Sequence, residues 1–537
     1  MSHQKICILQ MTRIGDILQS YQAARQLKLE NPNISLSLIA RRDMAKGLIF
    51  ILQDTFDDIF LFETSDFFPV GTKTLGSAKE NLNGFLNEVN ELELDLIVNF
   101  SYSSSSSYLM NLIESKHKMG IKRSSKNELV IDDRWSQYVY SNILDSTHCP
   151  FNLVDIYKNI LGAKDNHSFP VTMTPTNTIT LHPFASDKTK CWEPHRWSEL
   201  IFKLLKSNPT YSVTILGAKA DIANAELITL TPTLKEFSHR INNQTSKLNI
   251  EESFNEVKNS KLFIGHDSMV SHLASIAEKE SIIISLGPVK PHETSPYCDK
   301  VVNIASTTSC SDTHELKDIN PQLINFIANE KLASRALTSE SLKTNVNTFS
   351  LQGIKIYNSK FDLGGLRLNN LLEDTCSSQD VMRKFLRICF SYYLNDLELE
   401  MSIPKLNQES IHTLRILKDG MEYMNELFHH AMITCNAILE ETSSKKSDTK
   451  NIQQQIKKLA EIDKLLLVTV NKYKLLKPVH DFFYINRLNS KGKDLAQITQ
   501  SNLVSYYEAQ NFLSFVEDLT NTTLGPKIID RNTTKDI

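Results

Sequence analysis

Along roughly the first 300 residues, apolar positions fall in short unbroken blocks, and between the blocks they recur at helical spacing. Residues 5–10 (KICILQ) are the first block; after the turn Met11-Thr12-Arg13, Ile14, Ile17, Leu18, Tyr21, Ala24 and Leu27 fall on one stripe. Unbroken blocks of this length predict strands buried on both faces, and the stripe predicts an amphipathic helix. The alternation continues, with strands expected at 34–39, 58–62 and 94–99 and helices at 43–52, 79–92, 135–144 and 151–161. Strands alternating with helices predict βαβ crossovers and a parallel sheet covered on both sides. A stretch at 166–177 with Pro170, Pro175 and several threonines reads as a linker. A second series then begins, with strands at 178–182, 211–216, 262–264 and 282–286 and helices at 194–207, 221–230 and 250–259.

From about Lys331 the pattern changes. Alternation stops, and 408–440 carries apolar residues at 411, 414, 417, 421, 424, 428, 432, 435 and 438, a narrow coiled-coil-like stripe. Ile452, Ile456, Leu459, Ile462, Leu466, Val470 and Tyr473 repeat it after a polar linker at 441–450, which predicts an antiparallel helical hairpin within a bundle. The expected fold class is α/β, two tandem Rossmann-like domains followed by an all-α helical domain. The expected boundaries are 1–168, 177–330 and 331–519, with a frayed tail at 520–537.

A length of 537 residues fits about three cores. The balance of 59 basic against 62 acidic residues, net charge -3, gives no global positive field, so nucleic acid is not an expected partner. No apolar run approaches the ~20 residues of a membrane span, and residues 1–10 enter a strand without a signal peptide, so a cytoplasmic protein is expected, with peripheral attachment at the inner membrane left open. The eight cysteines lack CxxC or CxxH spacing, which argues against a zinc site or a disulfide framework.

Neither GxGxxG nor GxxxxGK[ST] is present, so both the dinucleotide fingerprint and the P-loop are missing. The stretch 261–297 reads instead as a strand, a turn Gly265-His266-Asp267-Ser268 that starts a helix, and a second strand. A helix N-terminus at a strand's carboxyl end favours an anion such as a phosphate. In the first series, Asp16 follows the turn after the first strand, where a carboxylate can accept a proton from an attacking hydroxyl or simply stabilise its helix N-terminus. In the second, the loop from His182 through Ser186 to Lys190 offers small residues and a cation that can neutralise a diphosphate. The serines at 103–107 leave the strand 94–99, and Lys116, Lys118, Lys122, Arg123 and Lys126 cluster around Gly120; an anionic acceptor site and a solvated surface loop both fit these segments.

Taken in order, ILQMTRIGDIL at 8–18, HPFAS and KCWEPHRWSEL within 182–200, VTILG at 213–217 and FIGHDSMVSHLASIAEK with LGPVKP at 263–291 resemble glycosyltransferase family 9, the ADP-heptose transferases of lipopolysaccharide synthesis. The resemblance covers about residues 5–330. It implies the two-domain GT-B architecture and an inverting, metal-independent transfer with Asp16 as catalytic base. It also implies a nucleotide-sugar donor, ADP-heptose or a relative, held by Lys190, Gly265, Asp267, Ser268 and Ser186, with no further cofactor. Arg13, Ser103, Lys122 and Arg123 are the candidates for holding the acceptor, a lipopolysaccharide-type glycan or a protein. The sequence departs from the family's pattern at Met269, where the family commonly has glycine. The helical region has no counterpart in the typical family enzymes, so recruitment of a protein acceptor, self-association and covering of the cleft all stay open. The readings set against transfer are a catalytically degenerate scaffold working through the helices and a nucleotide-sugar epimerase.

Overall fold

The structure is a computed structural model that describes residues 4–67, 74–144, 147–164, 176–306, 319–345, 349, 351, 353–372, 376–444 and 448–525. Most of the expected linker at 166–177, part of that at 441–450, Cys310 and the end of the expected tail lie outside these residues. The chain divides into two compact units, one of Met1–Val130 with Phe151–Glu373 and one of Ile131–Pro150 with Asp374–Ile537.

The first unit contains two sheets. One is built from β1 (Lys5–Gln10), β2 (Ser35–Arg41), β3 (Asp58–Phe62), β4 (Leu96–Asn99), β5 (His117–Arg123) and β6 (Leu129–Ile131), in the order β3-β2-β1-β4-β5-β6. The pairs joining β1 to β5 are all parallel. The other is built from β7 (Thr178–His182), β8 (Ser212–Ile215), β9 (Ile241–Asn243), β10 (Leu262–His266), β11 (Ser281–Ser285), β12 (Val301–Ser306), β13 (Ile354–Asp362) and β14 (Gly365–Asn370). Its order is β14-β13-β12-β11-β10-β7-β8-β9, parallel from β12 to β9. The central strands are apolar on both faces because helices cover both. Cys7, Leu9, Ile39 and Ile97 fill one core, and Ile179, Leu181, Ile264, Ile282 and Ile284 fill the other around fully buried Trp197. These are two tandem Rossmann-like sheets, as the alternation predicts.

Two elements differ from the expectation. The basic cluster, which fits either an acceptor site or a surface loop, lies on and beside strand β5, and several of its cations are engaged locally. Lys116 pairs with Asp95 at 2.7 Å, and Lys118 Nζ donates to the carbonyls of Met110 and Asn111 at the end of the helix Ser104–Leu112. Beyond Lys331, where alternation is expected to cease, β13 and β14 extend the second sheet as an antiparallel pair.

The helix Leu153–Leu161, capped by the Asn152 side chain, fastens the two halves of this unit together. Its Asp155 accepts from the Tyr297 hydroxyl at 2.5 Å and from the Leu366 N–H at 2.8 Å. Lys158 Nζ lies 3.2 Å from the Tyr297 oxygen.

The second unit is helical: Arg134–Leu144, Ser378–Asn395, Gln408–Ser443, Thr449–Lys472, Lys477–Leu488 and Leu495–Leu524. The stripe on Gln408–Ser443 is buried at Leu414, Leu417, Met421, Met424, Phe428, Cys435 and Ile438, as core spacing requires. On Thr449–Lys472 burial begins only at Ile462, and Ile456 is exposed. The last helix runs to Leu524, past the point where fraying is expected. Residues 134–144 dock here: Trp135 Nε1 donates to Asn395 Oδ1 at 2.9 Å, and the Tyr138 ring meets Phe390 and Phe482 edge-on or tilted. Among the described residues no helix is long and apolar enough to cross a membrane.

Candidate active site

In a doubly wound sheet, ligands bind at the carboxyl ends of the strands where the strand order reverses. In the first sheet that point lies between β1 and β4. Fully buried Gln10, the last residue of β1, organises it: Oε1 accepts from the Thr12 hydroxyl at 2.6 Å, the Thr12 N–H at 3.2 Å and the Ser101 hydroxyl at 3.1 Å. Its Nε2 donates to Ser20 Oγ at 3.1 Å and to the Tyr157 oxygen at 3.5 Å. One amide therefore fixes the turn 11–13, the exit of β4 and the first turns of the helix Ile14–Glu30. That helix carries Asp16, whose Oδ2 accepts from the Arg13 N–H at 3.1 Å. Tyr157 stacks on Phe100 with ring centroids 4.1 Å apart. Burial raises the Tyr157 phenol pKa well above its ordinary value, and the nearby Asp16 charge adds to the shift.

In the second sheet the reversal lies between β7 and β10. Lys190, at the end of the loop leaving β7, places Nζ 3.4 Å from Asp267 Oδ2 beyond β10. Asp187 accepts from the N–H and hydroxyl of Thr189 at 2.9 and 2.8 Å and so shapes this loop, where Ser186 is exposed. Gly287 crosses it with φ +63°, and a Cβ there would lie 2.7 Å from the Thr189 carbonyl oxygen. Ser268 begins the helix Met269–Ile276, with its hydroxyl 3.1 Å from His182 Nδ1. Gly265 is buried inside β10, where a Cβ would meet the Phe263 ring at 2.8 Å. Met269 packs against the apolar cluster around Phe263 and Val270.

The histidines of this half have separate duties. His266 Nδ1 lies 3.1 Å from the Ile284 carbonyl oxygen, which it can meet only as a donor, while Nε2 accepts from the Trp192 N–H at 2.9 Å. Burial pulls its pKa down to about 4, and it pulls that of His182 to about 3 with His266 adding, so both rings are neutral and structural. His272 is different. Its ring comes within 3.4 Å of where a Gly15 Cβ would stand, and its Nδ1 is buried without a partner. Burial lowers its pKa; the Asp267 and Asp16 carboxylates oppose that and the Lys190 charge adds to it. One imidazole thus senses the carboxylate of the first sheet and the Lys190–Asp267 pair of the second. Gln22 Nε2 donating to Ser275 Oγ at 3.1 Å holds the same two helices together.

Of the candidate acceptor residues, Arg13 adjoins Asp16, and Ser103 and Arg123 make local hydrogen bonds. Arg13 is exposed at the start of its helix. Ser103 Oγ accepts from the Ser106 N–H at 3.1 Å as a helix cap. The Arg123 guanidinium reaches Ser107 Oγ and the Asn127 carbonyl, both at 3.1 Å, and covers the Tyr108 ring at 4.9 Å. Lys122 is half-buried in β5. Sequence reasoning did not single out Gln10, Tyr157 or His272. A lone amide closing an apolar strand was the available signal for Gln10. Away from this site, Glu278, Cys298 and Asp299 bring potential metal-ligand atoms within 4.8 Å of one another, but Lys300 already lies 3.3 Å from Glu278 and burial pushes the Cys298 thiol up to about 12.

Residues 85–324 match the family profile for glycosyltransferase family 9 (heptosyltransferase). This stretch of the chain belongs to glycosyltransferase family 9. The matched residues include the loop that carries Lys190 and the Asp267 helix start, and not Asp16. Lipooligosaccharide heptosyltransferase 2 of Haemophilus influenzae is 22% identical over 326 residues, 56% of this chain and 88% of that protein. Among solved structures, the family 9 glycosyltransferase of Veillonella parvula aligns with TM-score 0.49 and 14% identity over 62% of this chain and 98% of its own. The E. coli ADP-heptose lipopolysaccharide heptosyltransferase II aligns with TM-score 0.47 and 16% identity over 62% and 99%. These matches support glycosyltransferase activity of the heptosyltransferase type, carried by residues 85–324.

Proposed function

We propose that the protein transfers a heptose from ADP-heptose to a hydroxyl of a lipooligosaccharide-type glycan, with inversion at the anomeric carbon. The observation that carries this reading is the gathering of Asp16, Asp267 and Lys190 about the buried His272 ring, which supports one bipartite site made from two sheets. The donor diphosphate lies against Lys190 and the Ser268 helix start, where a cation and free backbone N–H groups favour it. The acceptor hydroxyl approaches past the turn 11–13. Its oxygen forms a bond to the anomeric carbon as the bond from that carbon to the diphosphate oxygen breaks. The hydroxyl proton passes to the Asp16 carboxylate, and Lys190 offsets the charge on the departing ADP.

Asp16→Asn separates the chemistry from the helix start, because the oxygen of the new amide can still accept from the Arg13 N–H. Turnover from ADP-heptose should fall by roughly 10²–10⁴-fold while calorimetric affinity for ADP stays within about twofold of wild type. Undiminished turnover would remove Asp16 from the chemistry. Transfer to the protein's own host proteins, but not to delipidated core glycan, would replace the glycan acceptor with a protein one.

A further inference from the structure

The helical unit contains a cavity of about 710 Å³ between Ser378–Asn395 and Leu495–Leu524 that the transfer reaction does not use. That volume is in the range of small-molecule sites, roughly 300–1,000 Å³. Tyr392, Tyr393, Phe512 and Phe515 contribute aromatic wall, and Glu398, Glu508 and Asp518 are the carboxylates lining it. No lysine, arginine or histidine is among the lining residues.

The inner wall already holds a cation supplied by the chain. Arg134 lies 5.0 Å over the Tyr393 ring and 2.8 Å from Glu508 Oε1, while the Tyr393 hydroxyl donates to Glu508 Oε2 at 2.5 Å. The rest of the lining offers the same residue types without such a cation. Tyr392 and Phe515 meet edge to face at 5.8 Å, Tyr392 is 48% exposed, and among the described residues neither Glu398 nor Asp518 forms an ion pair. An aromatic face attracts an organic cation through its quadrupole, and apolar walls hold the cation's stem.

We propose that this cavity binds an alkylammonium, the ammonium seated between Tyr392, Phe515 and the Glu398 and Asp518 carboxylates and its apolar stem directed inward. A neutral ligand of the same shape loses both attractions, and an anion meets the Glu398 and Asp518 carboxylates. The site is independent of Asp16 and Lys190 and of the transfer they perform.

The test is calorimetric titration of the full chain with choline and with its neutral isostere 3,3-dimethylbutan-1-ol. Choline should bind at least about tenfold more tightly than the alcohol. The double variant Glu398→Gln/Asp518→Asn, which preserves volume at two exposed positions, should weaken choline by a similar factor and leave sugar transfer unchanged. Phe515→Ala should weaken it as well. Nα-acetyl-lysine amide binding more tightly than choline would identify a protein side chain as the natural occupant, and the reverse order a small amine. Equal binding of alcohol and choline, undiminished binding in the variants, or no binding of any cation would each overturn the proposal.

Discussion

Gln10→Leu tests whether the buried amide positions the Asp16 turn or only fills space. Leucine matches the volume but removes three accepted and two donated hydrogen bonds. The losses are unequal. The Ser20 hydroxyl still donates to the Asp16 carbonyl at 2.8 Å, the Ser101 hydroxyl retains a 3.5 Å contact with the Leu9 carbonyl and a 2.6 Å bond from the Met11 N–H, and half-exposed Thr12 can turn to water. The Tyr157 oxygen loses its 3.5 Å donor inside the core. With a net ~1 kcal/mol for an ordinary bond and ~1–3 kcal/mol for a buried group left unpaired, the loss of stability should be about 2–4 kcal/mol. If the network holds Asp16 in line, kcat should fall about 10–100-fold, because displacements near 1 Å carry losses of that order. KM for the donor should stay within about threefold, since the residues proposed to hold the donor belong to the other sheet. The assay is steady-state transfer at a temperature well below each variant's unfolding midpoint, beside urea denaturation. Gln10→Glu, which keeps an acceptor for Thr12 and Ser101, should recover part of kcat. A Gln10→Leu protein that is destabilised but turns over at the wild-type rate would refute the positioning role.

Gly287→Ala forces a left-handed conformation on alanine and a Cβ against the Thr189 carbonyl, so it should cost about 1–2 kcal/mol in urea denaturation. It should also weaken ADP several-fold in calorimetry, because the displaced loop carries Lys190. For pH, His266 titrates near 4 when folded and near 6.5 in its ordinary state, so between those values the unfolded chain binds the extra proton. Its stabilising contribution is complete above about pH 6.5 and declines as pH falls, by about 2 kcal/mol at pH 5, with His182 acting in the same direction. Urea midpoints measured from pH 7 to pH 5 should show this decline, and His266→Gln should reduce it to the His182 contribution.

The strand-helix rhythm of the first unit was legible because each central strand is apolar on both faces, as at KICILQ and LFIGH. Strand β5 was not: in HKMGIKR only Gly120 and Ile121 are fully buried, and its lysines resemble those of a surface loop. The hairpin β13–β14 carried its own signal, alternating Ile354 and Ile356 before Gly364-Gly365, which the helical stripes downstream overshadowed. For the site, motif order pointed to Asp16, Lys190 and Asp267. Gln10, Tyr157 and His272 act through partners 91 to 147 residues away or through a contact with Gly15, and local spacing carries no trace of such pairings.

The segment Ile131–Pro150 belongs to the helical unit although the chain then returns to the first unit for more than 200 residues. During synthesis the helix Arg134–Leu144 emerges with Trp135, Tyr138 and Val139 lacking the surfaces that later cover them. Trp135 waits 260 residues for Asn395, and Gln137 waits 349 for Asn486. At ~5–20 residues per second this apolar helix stays uncovered for about 10–70 s. The interval is long enough for a chaperone to bind it. A chain cut after the last strand of the first unit would keep that helix permanently bare, so the helical unit is removed cleanly only when both of its segments are excised.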